Sequence, residues 1–166
     1  MTSKNIILLG ATGSIGKSTL NLIRQKRERF NLIGISAYKN TEQLKLISEE
    51  FNVKYVSYFK NDKNIEFNEK TKVMKDSEGL LELASSNCDV VVSGISGLAG
   101  LMPAYAALSN GNHIAIANKE PLVVAGNLLK DCSKKHNAKI LPVDSEHNSI
   151  FQCFDSNQRT NISHIT

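Results

Sequence analysis

The chain has 166 residues, of which 41% are hydrophobic and 22% charged, and this is the size and composition of one globular domain. The net charge of +4 weakly favours anionic ligands, but the lysines are scattered and form no basic stripe with aromatic residues, so nucleic-acid binding is not expected. No membrane segment is expected either, because the apolar run at residues 6–9 is too short to span a bilayer. Three widely spaced cysteines without metal-ligand spacing fit reduced thiols in a cytoplasmic protein: Cys88, Cys132 and Cys153.

Short apolar runs alternate with segments of helical periodicity along the whole chain, which is typical of repeated βα units around a mostly parallel sheet. We therefore predict an α/β, Rossmann-type doubly wound fold. About six strands are predicted, at residues 5–9, 31–37, 53–59, 89–93, 113–117 and 139–143. The clearest helices between them are predicted at residues 14–26, 98–109 and 121–136, and the polar, lysine-rich residues 60–75 predict an excursion with room for one short strand.

Helix-capping residues mark three of the helix ends. Asn40 with Gln43 three residues later reads as a capping box that opens the second helix. Asp76 or Ser77 is expected to cap a short helix that contains several leucines. Gly111 stands where the residue after a helix C-terminus should adopt a left-handed conformation.

A glycine-rich segment at residues 10–16 (GATGSIG) lies between the first strand and the first helix, which is the context of a dinucleotide-binding turn. Glycines such as Gly10 and Gly13 let backbone N–H groups approach a pyrophosphate, which the positive end of the helix also attracts. Thr12 and Ser14 add hydroxyl donors. The alternative is a glycine-rich turn that binds no ligand.

The end of the second strand bears on which nicotinamide cofactor is preferred. NAD-binding domains place an acid there for the ribose 2′-hydroxyl, whereas this chain has Lys39 and Asn40 in that region. A cation beside an amide suits a 2′-phosphate, which a carboxylate would repel. We therefore predict NADPH over NADH; the alternative is that Lys39 is a solvated loop residue.

Two carboxylates, Asp144 and Glu146, follow the last strand at the edge where open α/β sheets bind ligands. In an extended segment, residues two apart project to the same side, so the pair could hold one Mg²⁺ or Mn²⁺ ion. An acidic pair in this position also commonly complements the dipole at a helix N-terminus. His147 is more often a capping or packing residue than a ligand.

Residues 118–120 (Asn-Lys-Glu) follow the preceding strand at the same edge of the sheet. Lys119 could pair with a phosphate or with an enediolate-like oxyanion. It could equally be a lysine at a helix start that pairs with Glu120.

Four segments together resemble 1-deoxy-D-xylulose 5-phosphate reductoisomerase in sequence, order and spacing: residues 10–16 (GATGSIG), 94–98 (GISGL), 117–120 (ANKE) and 141–152 (LPVDSEHNSIFQ). The last is the most specific, because a general dinucleotide-binding domain does not need it. The resemblance implies an enzyme that isomerises 1-deoxy-D-xylulose 5-phosphate and reduces the product with NADPH to 2-C-methyl-D-erythritol 4-phosphate for isoprenoid synthesis. It also implies a divalent metal, Mg²⁺ or Mn²⁺, and a homodimer for the full-length protein.

Roles for individual residues follow from the same match. The resemblance implies contacts with the cofactor phosphates for Thr12, Gly13, Ser14 and Ile15; contacts with its 2′-phosphate end for Lys39 and Asn40; contacts near the nicotinamide for Asn118 and Glu120; metal coordination by Asp144 and Glu146; and substrate contacts for Ser145 and Lys119.

The sequence departs from the family pattern at two positions and in length. Tyr38 stands where the family usually has glycine, so either the backbone approaches the adenosine phosphate less closely or the ring stacks on adenine. Pro121 stands where a serine is frequent and stiffens the helix start.

Residues 1–150 are expected to form the NADPH-binding domain, and residues 151–166 to begin the connection to a catalytic domain that this sequence lacks. The chain is therefore expected to bind the cofactor but to turn over little by itself. The competing hypotheses are a non-catalytic NADPH-binding module and another dehydrogenase with the same turn, of the aspartate-semialdehyde or dihydrodipicolinate kind.

Overall fold

The computed structural model describes residues 3–59 and 65–153. The strands in these ranges are β1 (Lys4–Leu9), β2 (Phe30–Ala37), β3 (Tyr55–Tyr58), β4 (Lys72–Lys75), β5 (Val90–Ser93), β6 (His113–Ile116) and β7 (Ile140–Pro142). The helices are α1 (Ser14–Gln25), α2 (Thr41–Phe51), α3 (Asp76–Ser85), α4 (Leu101–Ser109), α5 (Glu120–Lys135) and α6 (Ser145–Cys153), with a 3-10 turn at Gly97–Gly100 before α4.

The strands form one sheet in the order β4-β3-β2-β1-β5-β6-β7, and every neighbouring pair is parallel. The chain builds outward from β1 to β4 on one side and then returns to build β5 to β7 on the other. This confirms the predicted α/β doubly wound fold. The direction of winding reverses between β1 and β5, and such a reversal leaves a crevice at the carboxyl ends of these strands.

Alternating side chains of β1 supply both faces of the sheet with core residues. Ile7 and Leu9 belong to a cluster that includes residues of α3, α4 and α5, and Ile6 and Leu8 belong to a second cluster with residues of α1 and α2. Since successive side chains in a strand point to opposite faces, a continuous apolar run is what a strand covered by helices on both sides requires. This explains why the run at residues 6–9 is a central strand.

In the described residues a seventh strand, β4, forms at the end of the lysine-rich stretch, where the sequence left room for one short strand. In β4 only Met74 is buried, so its sequence carries little apolar signal. The prediction that Asp76 or Ser77 caps α3 is wrong, since the N-cap is Lys75 and Asp76 lies in the helix with a φ of 62°. The Asn40 cap is confirmed, because its side chain accepts a hydrogen bond of 3.2 Å from the Gln43 N–H.

Three further features complete the comparison with the sequence. The helix predicted over residues 98–109 begins with the 3-10 turn, and Gly111 has the expected positive φ of 79°. Among the described residues no helix is both long and apolar enough to cross a bilayer. Most of the proposed connection at residues 151–166, from residue 154 onward, lies outside the described residues, and the proposed boundary at residue 150 falls inside α6.

Candidate dinucleotide and metal site

The turn between β1 and α1 needs glycine at two of its positions for steric reasons. Gly10 has a φ of 79°, and a Cβ there would lie 2.9 Å from the carbonyl oxygen of Gly94. A Cβ at Gly16 would overlap the carbonyl oxygens of Gly10 and Ala11. The turn is held to β2 by Ser36, whose hydroxyl accepts a hydrogen bond of 3.1 Å from the Gly10 N–H. The glycine spacing seen in the sequence therefore has a structural cause in this chain.

Helix α1 begins without a side-chain cap from any of the described residues. Its N-cap is Gly13, no side chain caps the first turn, and the first turn contains no acidic residue. Gly13 and Ser14 are exposed, and Thr12 is half-buried. The first N–H groups of a helix have no partner within the helix and carry partial positive charge, so this end of α1 suits an anion.

A cleft of about 800 Å³ runs along the carboxyl edge of the sheet from β4 to β5. It is lined by the turn after β1, by the segments after β2, β3 and β5, and by the starts of α3 and α4. A crevice at this edge is where doubly wound sheets bind nucleotides. The sequence predicted a role at this edge for the turn after β1, for the segment after β2 and for residues 94–98. It named Asp76 and Ser77 only as helix caps, and it missed Phe59 and Met102, which belong to segments with no motif.

The segment after β2 lines the cleft through Tyr38, and the next residue, Lys39, is a cation outside the lining. Lys39 is exposed, and its ammonium lies 5.4 Å from the centroid of the Tyr38 ring. The side-chain oxygen of Asn40 is committed to capping α2, so its amide nitrogen is the group that it can offer to a ligand.

Asn118 connects two of the segments on the nicotinamide side of the predicted site. Its side-chain amide donates hydrogen bonds of 3.2 Å to the carbonyl oxygens of Ile95 and Gly97. It therefore holds the glycine-rich turn after β5 against the end of β6. Its side-chain oxygen has no partner among the described residues and can accept a hydrogen bond. This clamping role was not apparent from the sequence, because the partners lie more than 20 residues away.

The acidic corner after β7 is helical and not extended. Asp144 precedes α6 and accepts hydrogen bonds from the His147 N–H at 2.9 Å and from the His147 ring at 2.5 Å. The premise that Asp144 and Glu146 lie on one side of an extended segment is therefore wrong. The capping role considered as the alternative is present, and His147 is part of it.

The carboxylates of this corner are nevertheless held in their charged forms. The backbone N–H and then the ring of His147 lower the pKa of Asp144. The pKa of Glu146 is lowered by its own backbone N–H, by the Ser145 hydroxyl at 3.0 Å and by the charge of Lys119, whereas the charge of Asp144 acts to raise it. Lys119 acts on Glu146 because β6 and β7 are neighbours, so the segments that follow them run side by side. Within residues 3–59 and 65–153, no three His, Cys, Asp or Glu side chains are grouped as a complete metal site.

The three cysteines lie outside the lining of the cleft. All three are free thiols, and none lines the cleft. Burial raises the pKa of Cys88 to about 12, so this thiol is protonated at neutral pH and is a poor nucleophile. A dehydrogenase mechanism that requires a catalytic cysteine has no support in the described residues.

A parallel doubly wound sheet with a glycine-rich turn beside its reversal point defines a Rossmann-type α/β protein. A family model described as 1-deoxy-D-xylulose 5-phosphate reductoisomerase matches residues 6–126, which is most of the chain. The chain belongs to the 1-deoxy-D-xylulose 5-phosphate reductoisomerase family.

Known relatives extend this assignment to nearly the whole sequence. The reductoisomerase of Thermoanaerobacter pseudethanolicus is 42% identical in an alignment of 166 positions, gaps included, that covers 98% of this chain and 44% of that protein. The Zymomonas mobilis enzyme in complex with NADPH has a TM-score of 0.84 and 34% identity over 96% of this chain and 43% of its own. A reductoisomerase structure with NADPH, fosmidomycin and magnesium has a TM-score of 0.83 and 36% identity over 93% of this chain and 40% of its own. The chain thus spans less than half the length of the relatives it matches.

Proposed function

We propose that this chain is the cofactor-binding part of an NADPH- and divalent-metal-dependent reductoisomerase that converts 1-deoxy-D-xylulose 5-phosphate to 2-C-methyl-D-erythritol 4-phosphate in isoprenoid synthesis. The observation that carries the proposal is that the uncapped start of α1 opens into the cleft. The segment after β2, which lines the same cleft through Tyr38, carries Lys39. Family membership and the relatives solved with NADPH support it.

In this proposal the pyrophosphate of NADPH lies on the turn after β1. Thr12, Gly13, Ser14 and Ile15 contact it through backbone N–H groups and two hydroxyls. Lys39 and the Asn40 amide bind the 2′-phosphate, where the ammonium supplies the charge and the amide a directional donor.

The nicotinamide is assigned to the other side of the crevice. The carboxamide of a nicotinamide carries both a donor and an acceptor. The side-chain oxygen of Asn118 makes no hydrogen bond within the described residues and can accept one, and Glu120 has a carboxylate at the start of α5. Because Asn118 also holds the turn after β5 in place, it fixes the surface that the nicotinamide ring contacts in this proposal.

The residues of the acidic corner fit a hard divalent cation by the chemistry of their donor atoms. Mg²⁺ is commonly held by one or two carboxylates together with water and substrate oxygens, and Asp144 and Glu146 are both ionised and repel each other. A bound cation polarises the substrate's carbonyl and hydroxyl oxygens. Mn²⁺ has the same ligand preference, so the donor set does not choose between the two metals.

The chain's own residues then position the sugar phosphate. The Ser145 hydroxyl donates to the Glu146 carboxylate at 3.0 Å, and its oxygen can accept a hydrogen bond from a substrate hydroxyl. Lys119, whose charge acts on Glu146, supplies positive charge for a substrate oxygen. We expect the 166-residue chain by itself to bind NADPH and to turn over little, since a third carboxylate is not grouped with this pair in the described residues.

Calorimetric titration with NADPH and NADH tests the cofactor assignment. We expect tighter binding of NADPH, and we expect Lys39→Ala to weaken NADPH binding about tenfold while leaving NADH binding unchanged, because a hydrogen bond to a charged group contributes about 1.5–3 kcal/mol. Lys54→Ala is the matched control, since it removes the same charge from an exposed position before β3, at the opposite edge of the sheet. Equal affinities for the two cofactors, or no binding at millimolar NADPH, would contradict the assignment.

A non-catalytic NADPH-binding module is distinguished by the acidic corner. Asp144→Asn keeps a residue that caps helices well but removes the charge, so α6 should persist while Mn²⁺ binding weakens. Paramagnetic relaxation of water protons by Mn²⁺ measures this directly. Unchanged Mn²⁺ binding in the variant would favour the module over the enzyme.

A further inference from the structure

Two stacked aromatic rings lie exposed on one wall of the cleft. Tyr38 follows β2 and Phe59 follows β3, and because Ala37 pairs with Tyr58 in the sheet, the two rings come side by side. Their centroids are 5.0 Å apart with an interplanar angle of 29°. Tyr38 is 60% exposed and Phe59 is 43% exposed, so neither ring is part of the core. Adjacent exposed aromatic rings inside a concave site indicate a surface for a flat apolar ligand group.

The position of this aromatic pair relative to the phosphate turn indicates which group that is. Strands in a sheet are about 4.8 Å apart, so the ends of β2 and β3 lie about one and two strand spacings from the turn after β1. This is the distance over which the adenosine half of a dinucleotide extends when its pyrophosphate rests on α1. The cleft includes both the turn and the two rings, so one ligand can contact all of them.

The neighbouring cation matches the same half of the ligand. The Lys39 ammonium lies 5.4 Å from the Tyr38 ring centroid, near the outer limit of a cation–π contact, so it can leave the ring for a phosphate at little cost. In adenosine 2′-phosphate, the base and the phosphate are carried on adjacent carbons of one ribose. An aromatic surface directly beside a lysine is complementary to that arrangement.

We propose that Tyr38 and Phe59 form a stacking wall for the adenine ring and set the affinity, but not the selectivity, of this chain for the cofactor. The inference rests on the proposed function. Stacking involves the base alone, so it contributes equally to NADPH and NADH, whereas Lys39 distinguishes the two.

The test is calorimetric titration of three variants with NADPH, NADH and adenosine 2′,5′-bisphosphate. Base–aromatic stacking is lost on truncation to alanine at a cost of about 5- to 150-fold in affinity. We expect Tyr38→Ala and Phe59→Ala each to weaken binding of all three ligands by at least about fivefold, with the ratio of NADPH to NADH affinity unchanged. Tyr38→Phe keeps the ring and should bind like the unaltered chain. Because both side chains are largely exposed, the variants should fold, and circular dichroism checks this.

Three outcomes would overturn the wall. They are affinity within twofold of the unaltered chain in both alanine variants, loss of NADPH binding without loss of adenosine 2′,5′-bisphosphate binding, and a changed NADPH-to-NADH ratio in Tyr38→Ala. If the unaltered chain does not bind NADPH, both the cofactor assignment and the stacking proposal are wrong. If the unaltered chain binds NADPH but the alanine variants bind it equally well, only the stacking proposal is wrong.

Discussion

Asn112 is the position where a single polar side chain should matter most for stability. It is 1% exposed, and its side chain accepts a hydrogen bond from the Cys88 N–H at 3.2 Å and donates to the carbonyl oxygens of Ala84 at 3.1 Å and Ser86 at 2.9 Å. These bonds tie the α3–β5 connection to the start of β6. Replacing Asn112 with alanine removes all three, and each contributes about 1 kcal/mol net, so we expect the free energy of unfolding to fall by about 3 kcal/mol.

Urea denaturation measures this loss. With a slope of about 2 kcal/mol per molar, the midpoint should fall by about 1.5 M without a change of slope. Asn110→Ala is the matched control, because Asn110 is exposed and its side chain makes no hydrogen bond to the described residues; it should shift the midpoint little. The connection lies at the amino edge of the sheet, opposite the cleft, so cofactor affinity should be unchanged in the folded Asn112→Ala protein. A loss below about 1 kcal/mol would show that the three bonds do not brace this connection.

Two further predictions concern the phosphate turn and the helix layer. Gly16→Ala should abolish cofactor binding, because the added Cβ would overlap two carbonyl oxygens. Gly126→Ala is the control: its Cβ meets open space, so binding should stay intact and the free energy of unfolding should rise by about 0.5–1 kcal/mol. A Gly16→Ala chain that binds NADPH normally would refute the steric argument. Arg24 lowers the pKa of Glu50, so the pair stabilises the fold above the ordinary glutamate pKa of about 4.5, and this contribution is lost as pH falls through the lowered value. Since the pair is partly exposed, Glu50→Gln should cost no more than about 1 kcal/mol at pH 7, and this cost should shrink as pH falls below 4.5; a cost independent of pH would contradict this.

The fold class was predictable because both faces of the sheet are covered. A strand buried on both sides is apolar at every position, as in β1, and a helix that packs on one face repeats its apolar residues every three or four positions. β4 was harder to recognise because it is an edge strand with one buried residue, Met74. The phosphate turn was predictable for a similar reason, since the backbone conformation and close contacts at Gly10 and Gly16 exclude other side chains.

The geometry of the acidic corner was not predictable from spacing. Asp144 and Glu146 are two residues apart in an extended segment and in a helix alike, but the direction of their side chains differs between the two. The choice depends on whether Asp144 caps a following helix, which the contacts with the His147 backbone and ring decide in favour of the cap.

The sequence by itself determined the βα alternation, the glycine turn at the first helix and the family, because each depends on residues that are close along the chain. Only the tertiary structure decided which distant residues meet: Tyr38 with Phe59, Asn118 with the turn after β5, and the Lys119 charge with Glu146. The physical reason is that a parallel sheet brings together the carboxyl ends of strands that are separated by whole helices, and the register that aligns them is set by packing across the sheet.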